Sequence, residues 1–126
     1  MKTLHISLKS EAIIETAEIA VCRRQRALAL TRKNGATQVY HDHDLFLCLA
    51  QARHANPDVE FLCKGAKRNV YPSRMSSQMS SGLVAYELEL GKHGDQTVYI
   101  FDFDDKNITN SYLEQKDFYL TWLKSL

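Results

Sequence analysis

Leu4-His5-Ile6-Ser7-Leu8 alternates apolar and polar residues with a period of two, the pattern of a strand with one buried face. Ser10-Glu11 then reads as a helix start with an acidic first turn. Ile13, Ala17 and Ala20/Val21 share one face at helical spacing, although residues 16–21 also fit a strand. Between residues 26 and 41 the alternating segments RALALT and QVYH flank Asn34-Gly35. Asn-Gly suits the two positive-φ positions of a type I′ turn, so this stretch is predicted to be a hairpin.

Asp42 or Asp44 then offers an N-cap to a helix carrying Leu45, Phe46, Leu49, Ala50 and Ala52-Arg53, which Asn56-Pro57 stops. Residues 59–63 read as a strand reached by a crossover, ended by Gly65. KRNVYPSRMSSQMSSG is a loop with one helical turn after Pro72, and Met75 and Met79 are expected to pack inward. Residues 83–90 and 97–103 alternate on either side of GKHGD, a second hairpin. Residues 108–126 place Leu113, Phe118, Trp122 and Leu123 near one face of a C-terminal helix, with Asn107 or Thr109 as its cap. The sum is an α+β fold: one small domain spanning residues 1–126, a mixed or antiparallel sheet with two hairpins, and helices packed on it.

At 126 residues the chain can bury a core without staples, and 25% charged residues is ordinary globular usage. No apolar run is long enough for a membrane-spanning helix, and the first residues lack the apolar stretch of a signal peptide. Three cysteines without a CxxC pair are expected to be reduced thiols in a cytoplasmic protein. The net charge of +1 conceals segregation: −1 over residues 1–21, +6 over 22–74 and −4 over 75–126. Such a chain can present two oppositely charged faces to partners, unless folding interleaves them.

His41-Asp42-His43-Asp44 carries ligand types suited to Zn, Ni or Mn, and His41 and His43 would point the same way in a strand. No third ligand follows at a recognisable spacing, so a polar junction whose aspartates cap a helix accounts for the cluster, and no metal site is expected. Cys48, among Leu47, Leu49 and Ala50, reads as a packed core residue, and so does Cys63, which has Lys64 and Lys67 nearby but no orienting base. The basic residues Arg23, Arg24, Arg26, Arg32, Lys33, Lys64, Lys67 and Arg68 could meet phosphates, but aromatics do not alternate with them as stacking platforms would. An RNA-binding or metal-dependent enzyme domain using this stretch and His41/His43 is the alternative to a non-enzymatic binding protein.

The block FLCKGAKRNVYPSRMSSQMSSGLVAYELELGK (61–92) and the ending VYIFDFDD…EQKDFYLTWLKSL (98–126) resemble small bacterial immunity proteins encoded beside polymorphic toxins, those of contact-dependent growth inhibition and Rhs-type systems. The resemblance covers the C-terminal half and rests on overall pattern rather than on an invariant motif. It implies a cytoplasmic antidote, without catalytic residues or a cofactor, that binds a cognate toxin's C-terminal domain and blocks its active site. Many immunity proteins are plainly acidic; this chain is near neutral.

A nuclease toxin would hold phosphates in a basic cleft, which carboxylates would answer. The densest here are Asp102, Asp104 and Asp105, with Asp95 and Glu114 as candidate neighbours. In an extended strand Asp102 and Asp104 would project together, with Tyr99, Phe101 and Phe103 on the opposite face. Tyr112 and Tyr119 are candidate aromatic anchors beside these acids. The alternative contact is the 72–81 segment, through Arg74 and Ser76.

Overall fold

Four consecutive antiparallel strands open the chain: β1 (Lys2–Ser10), β2 (Ile13–Cys22), β3 (Ala27–Thr31) and β4 (Thr37–His41). The computed structural model describes residues 2–126. A short fifth strand, β5 (Glu60–Phe61), pairs antiparallel with β1 and completes a sheet of order β4-β3-β2-β1-β5. Since every neighbouring pair is antiparallel, β4 and β5 run in the same direction at opposite edges. Helix α1 (Leu45–Ala55) carries the chain across the sheet between them, the crossover that the sequence suggests.

A 3-10 turn (Lys64–Ala66) leads into a second antiparallel sheet of order β6-β7-β8, formed by β6 (Val70–Tyr71), β7 (Val84–Glu87) and β8 (Thr97–Tyr99). Helix α2 (Arg74–Ser80) lies between β6 and β7, and α3 (Tyr112–Lys124) closes the chain. The fold is therefore α+β, and all strand pairs among the described residues are antiparallel.

Period two places Ile6 and Leu8 of β1, Ala17, Ile19 and Val21 of β2, and Leu28 and Leu30 of β3 on one buried face. Against this face lies α1, seven of whose eleven residues are buried. A helix buried nearly all round sits between layers rather than on a surface. Its outer side meets the second sheet and the 3-10 turn, and one core cluster runs from Ile6 and Phe46 to Val70, Ala85 and Ile100. Of the two candidate caps, Asp44 is used: its Oδ1 accepts from the Leu47 N–H at 2.8 Å.

Several expectations are corrected. Residues 13–22 are strand, not helix: Ala17, Ile19 and Val21 alternate inward, and β1 and β3 satisfy the backbone on both sides. The hairpin at Asn34-Gly35 exists, but the turn is not type I′. Gly35 alone takes positive φ (+87°), and its N–H bonds the Arg32 carbonyl at 2.9 Å, the arrangement of a three-residue loop ending on a left-handed glycine. The single turn expected after Pro72 is the seven-residue helix α2, capped by Ser73, and Met75 and Met79 are exposed on it. Helix α3 is capped by Ser111 rather than by Asn107 or Thr109. Its buried side chains are Gln115 and Trp122, whereas Leu113 and Leu123 face solvent. Both strands of the second hairpin are shorter than predicted, and the chain turns after Tyr99.

Candidate partner-binding surface

Residues 100–104 are tied to the 3-10 turn and to Leu62 before it by three backbone bonds. Gly65 N–H donates to the Ile100 carbonyl (2.7 Å), Lys64 N–H to that of Asp102 (2.8 Å) and Asp104 N–H to that of Leu62 (3.4 Å). A side chain at residue 65 would forbid this approach: a Cβ there would lie 2.7 Å from Ile100 Cβ and from Leu49 Cδ2. The Asp102 N–H also closes a turn onto the Tyr99 carbonyl at 3.1 Å. The segment is therefore not an extended strand, and its side chains do not sort by alternation.

Phe101 is buried, but Tyr99 and Phe103 remain 63% and 61% exposed. With Asp102 they line a cleft of about 450 Å³ whose other walls include Leu4, His5, Val21 and Leu83, where β1 begins and β2 ends. The expected grouping of three aromatics opposite the acids is thus broken. Two aromatics stay out beside Asp102, and one goes into the core.

Asp104 separates from Asp102 and turns inward. Its Oδ2 accepts from Lys67 Nζ (2.8 Å) and Lys64 Nζ (3.0 Å), and Lys67 Nζ also reaches Glu87 Oε2 at 2.8 Å. Burial alone would raise the Asp104 pKa. Hydrogen bonds from Lys67, the Lys106 backbone and Lys64 outweigh it and hold the carboxyl well below the usual carboxylate range. Burial disfavours the charged Lys67, but hydrogen bonds to Asp104 and Glu87 overcome it and raise its pKa. Asp104 is thus a half-buried ion-pair residue, and the expectation that it projects together with Asp102 is corrected. Asp105 and Asp95 are exposed.

Glu114 is exposed at the start of α3 and accepts from Thr109 Oγ1 at 2.9 Å. Tyr112 shares a 2.8 Å hydrogen bond with the Tyr71 hydroxyl, and Tyr119 stacks on Tyr71 with 4.6 Å between ring centroids. Both are half-buried and line a separate groove of about 920 Å³ with Arg74, Arg26 and His43, so they are not beside the acids. Ser76 is half-buried, and its hydroxyl donates back to the Ser73 carbonyl. Folding therefore brings Arg74 and Tyr112 together and leaves Asp102 at a different place.

The basic stretch does not form one patch. Arg23, Arg24 and Arg26 occupy the β2–β3 turn, whereas Arg32 and Lys33 lie at the other end of β3. Arg32 is held by Glu15 (2.6 Å) and Asp58 (3.0 Å), and Lys64 and Lys67 are engaged by Asp104 and Glu87. His43 lines the 920 Å³ groove; the His41 carbonyl accepts from Gln51. Among the described residues no three His, Cys, Asp or Glu side chains converge as a metal site, and no helix is long and apolar enough to cross a membrane. The exposed pair Tyr99 and Phe103 was not legible in the sequence, where equal spacing gives the three aromatics one environment.

The sequence matches no protein-family model and no curated protein.

Proposed function

We propose that the chain is a non-enzymatic binding protein, an antidote of the toxin-immunity type, that engages its partner through the cleft at Tyr99, Asp102 and Phe103. The observation that carries this reading is the pair of large aromatics left out in solvent around a carboxylate, on a segment fixed by backbone hydrogen bonds. Exposed aromatics beside an apolar cleft mark interaction surfaces, and aromatic anchors dominate interface energetics. Rigidity adds to the argument, because a surface ordered beforehand spends less entropy on association. The partner that suits Asp102 and the nearby Asp105 is a basic protein cleft, such as that of a nuclease toxin acting in the cytoplasm. The family resemblance of residues 61–92 and 98–126 points the same way.

The test is protection and binding. The chain should bind the toxin domain encoded beside it and rescue cells that express that domain. Tyr99→Ala and Phe103→Ala should each weaken binding by about tenfold or more, the scale of an aromatic anchor. Asp102→Asn should mainly slow association at low salt. Unchanged binding in all three variants, or binding to RNA with steep salt dependence in place of a protein, overturns the proposal.

A further inference from the structure

The open edge of the large sheet is β4, and its five residues, Thr-Gln-Val-Tyr-His, include no Lys, Arg, Asp, Glu or Pro. Exposed edges are normally blunted by charge, proline, bulges or extreme shortness. The other edge strands are short: β5 and β6 have two residues each and β8 has three. β4 has none of these protections, and its register with β3 is continuous from Thr31↔Thr37 to Ala27↔His41.

Two bonds fix which backbone groups face outward. Asp42 N–H donates to the Arg26 carbonyl and Arg32 N–H to that of Ala36, so residue pairs 26/42 and 32/36 are hydrogen-bonded. Alternation along an antiparallel ladder then makes 28/40 and 30/38 the bonded pairs. The N–H and C=O groups of Thr37, Val39 and His41 consequently point away from β3. Gln51 Nε2 reaches the His41 carbonyl at 2.9 Å, which closes only the end of the edge. At the centre Val39 is 57% exposed.

We infer that two copies of this chain join antiparallel through β4, with Val39 on the two-fold axis, to form one continuous ten-stranded sheet. Each Val39 N–H would donate to the second copy's Val39 carbonyl, and the His41 N–H of each to the Thr37 carbonyl of the other, the His41 carbonyl staying with Gln51. An uncharged strand with a central outward-facing residue is self-complementary in this way, because no like charges meet when identical strands approach. A groove of about 940 Å³ runs beside this edge on the α1 side, lined among others by Tyr40, Leu47, Ala50, His54 and Leu113. Edge-to-edge pairing sets the two grooves next to each other, so that the contact continues beyond the strand. The Tyr99/Phe103 cleft shares no residue with this edge, so the two proposals succeed or fail separately.

The test is the mass of the isolated chain by sedimentation equilibrium, from low to high micromolar concentration. The result expected is a dimer, twice the 14.4 kDa chain mass, that dissociates on dilution. Val39→Pro removes only an outward N–H and leaves the bonds to β3, as edge prolines do. Val39→Lys places two ammonium groups together on the axis. Both variants should be monomers with unchanged circular dichroism, and the Val39 amide should exchange slowly in the wild-type dimer alone. A monomeric wild-type chain, or a Val39→Lys variant that still dimerises, overturns the inference. So does a monomeric chain that accepts a strand of a toxin at β4, since a different partner then occupies the edge. Should Val39→Pro fail to fold, Val39→Lys decides alone.

Discussion

The Arg53 guanidinium straddles the Oε1 of Gln115, with Nη1 and Nη2 each 3.0 Å from it, and Nη1 also donates to the Gly65 carbonyl at 3.2 Å. Arg53 is fully buried, and no carboxylate among the described residues pairs with it. Desolvation pushes its pKa down to about 10, which still leaves it charged at neutral pH. Gln115 in turn donates to the carbonyls of Gly65 (2.9 Å) and Lys67 (2.8 Å), so this pair ties α1 to α3 through the 3-10 turn.

The two halves of this pair are not equivalent. Gln115→Leu leaves a buried cation with only the Gly65 carbonyl to meet it and should cost roughly 3–5 kcal/mol. Arg53→Met removes the charge, leaves a neutral amide short of a partner, and should cost about 1–3 kcal/mol. Denaturant unfolding of both variants checks the order.

Acid should loosen the structure through Asp104. Its pKa in the fold lies below that of the unfolded chain, about 3.9, so the stabilisation is present above that value and is lost as the pH falls below it. Glu15, lowered chiefly by its hydrogen bond from Arg32, adds the same sign. Thermal midpoints should be flat above about pH 5 and fall below it. Asp104→Asn should flatten that acid limb and cost about 2 kcal/mol at neutral pH.

Two glycines are required for different reasons. Gly35 sits at φ +87° with nothing within 4 Å of an added Cβ, so Gly35→Ala costs only backbone strain, about 1 kcal/mol. At Gly65 an added methyl meets Ile100 and Leu49, and Gly65→Ala should cost about 2 kcal/mol or more through overpacking. Paired denaturant curves check the contrast.

Thiol reactivity should single out Cys22. Burial pushes Cys63 up to about 12 and Cys48 up to about 11, and both are sealed in the core, whereas Cys22 is half-buried on β2. Alkylation of the folded protein at mildly alkaline pH should label Cys22 first, and all three cysteines only after unfolding. Mass spectrometry reads the count.

Trp122 is 9% exposed and donates from Nε1 to the Lys92 carbonyl at 2.7 Å. Its emission should be blue-shifted in the native protein, and Trp122→Ala should cost roughly 3 kcal/mol.

The α+β class, the hairpin at Asn34-Gly35 and α1 with its aspartate cap follow from residue pattern alone, because each element depends on neighbours within a few residues. Tertiary structure decided the rest. Residues 13–22 carry a pattern compatible with helix or strand, and only the strands beside them on both sides selected the second. The leucines of α3 spell an apolar face, yet Gln115 and Trp122 are the side chains it buries, because the interior it meets offers a buried guanidinium and free carbonyls. Asp102 and Asp104 are alike in sequence and opposite in role. Two lysines forty residues or so distant draw one carboxylate in, while the turn at Tyr99 leaves the other out between two aromatics. Local spacing cannot encode that division, since the partners that enforce it are brought close only by the fold.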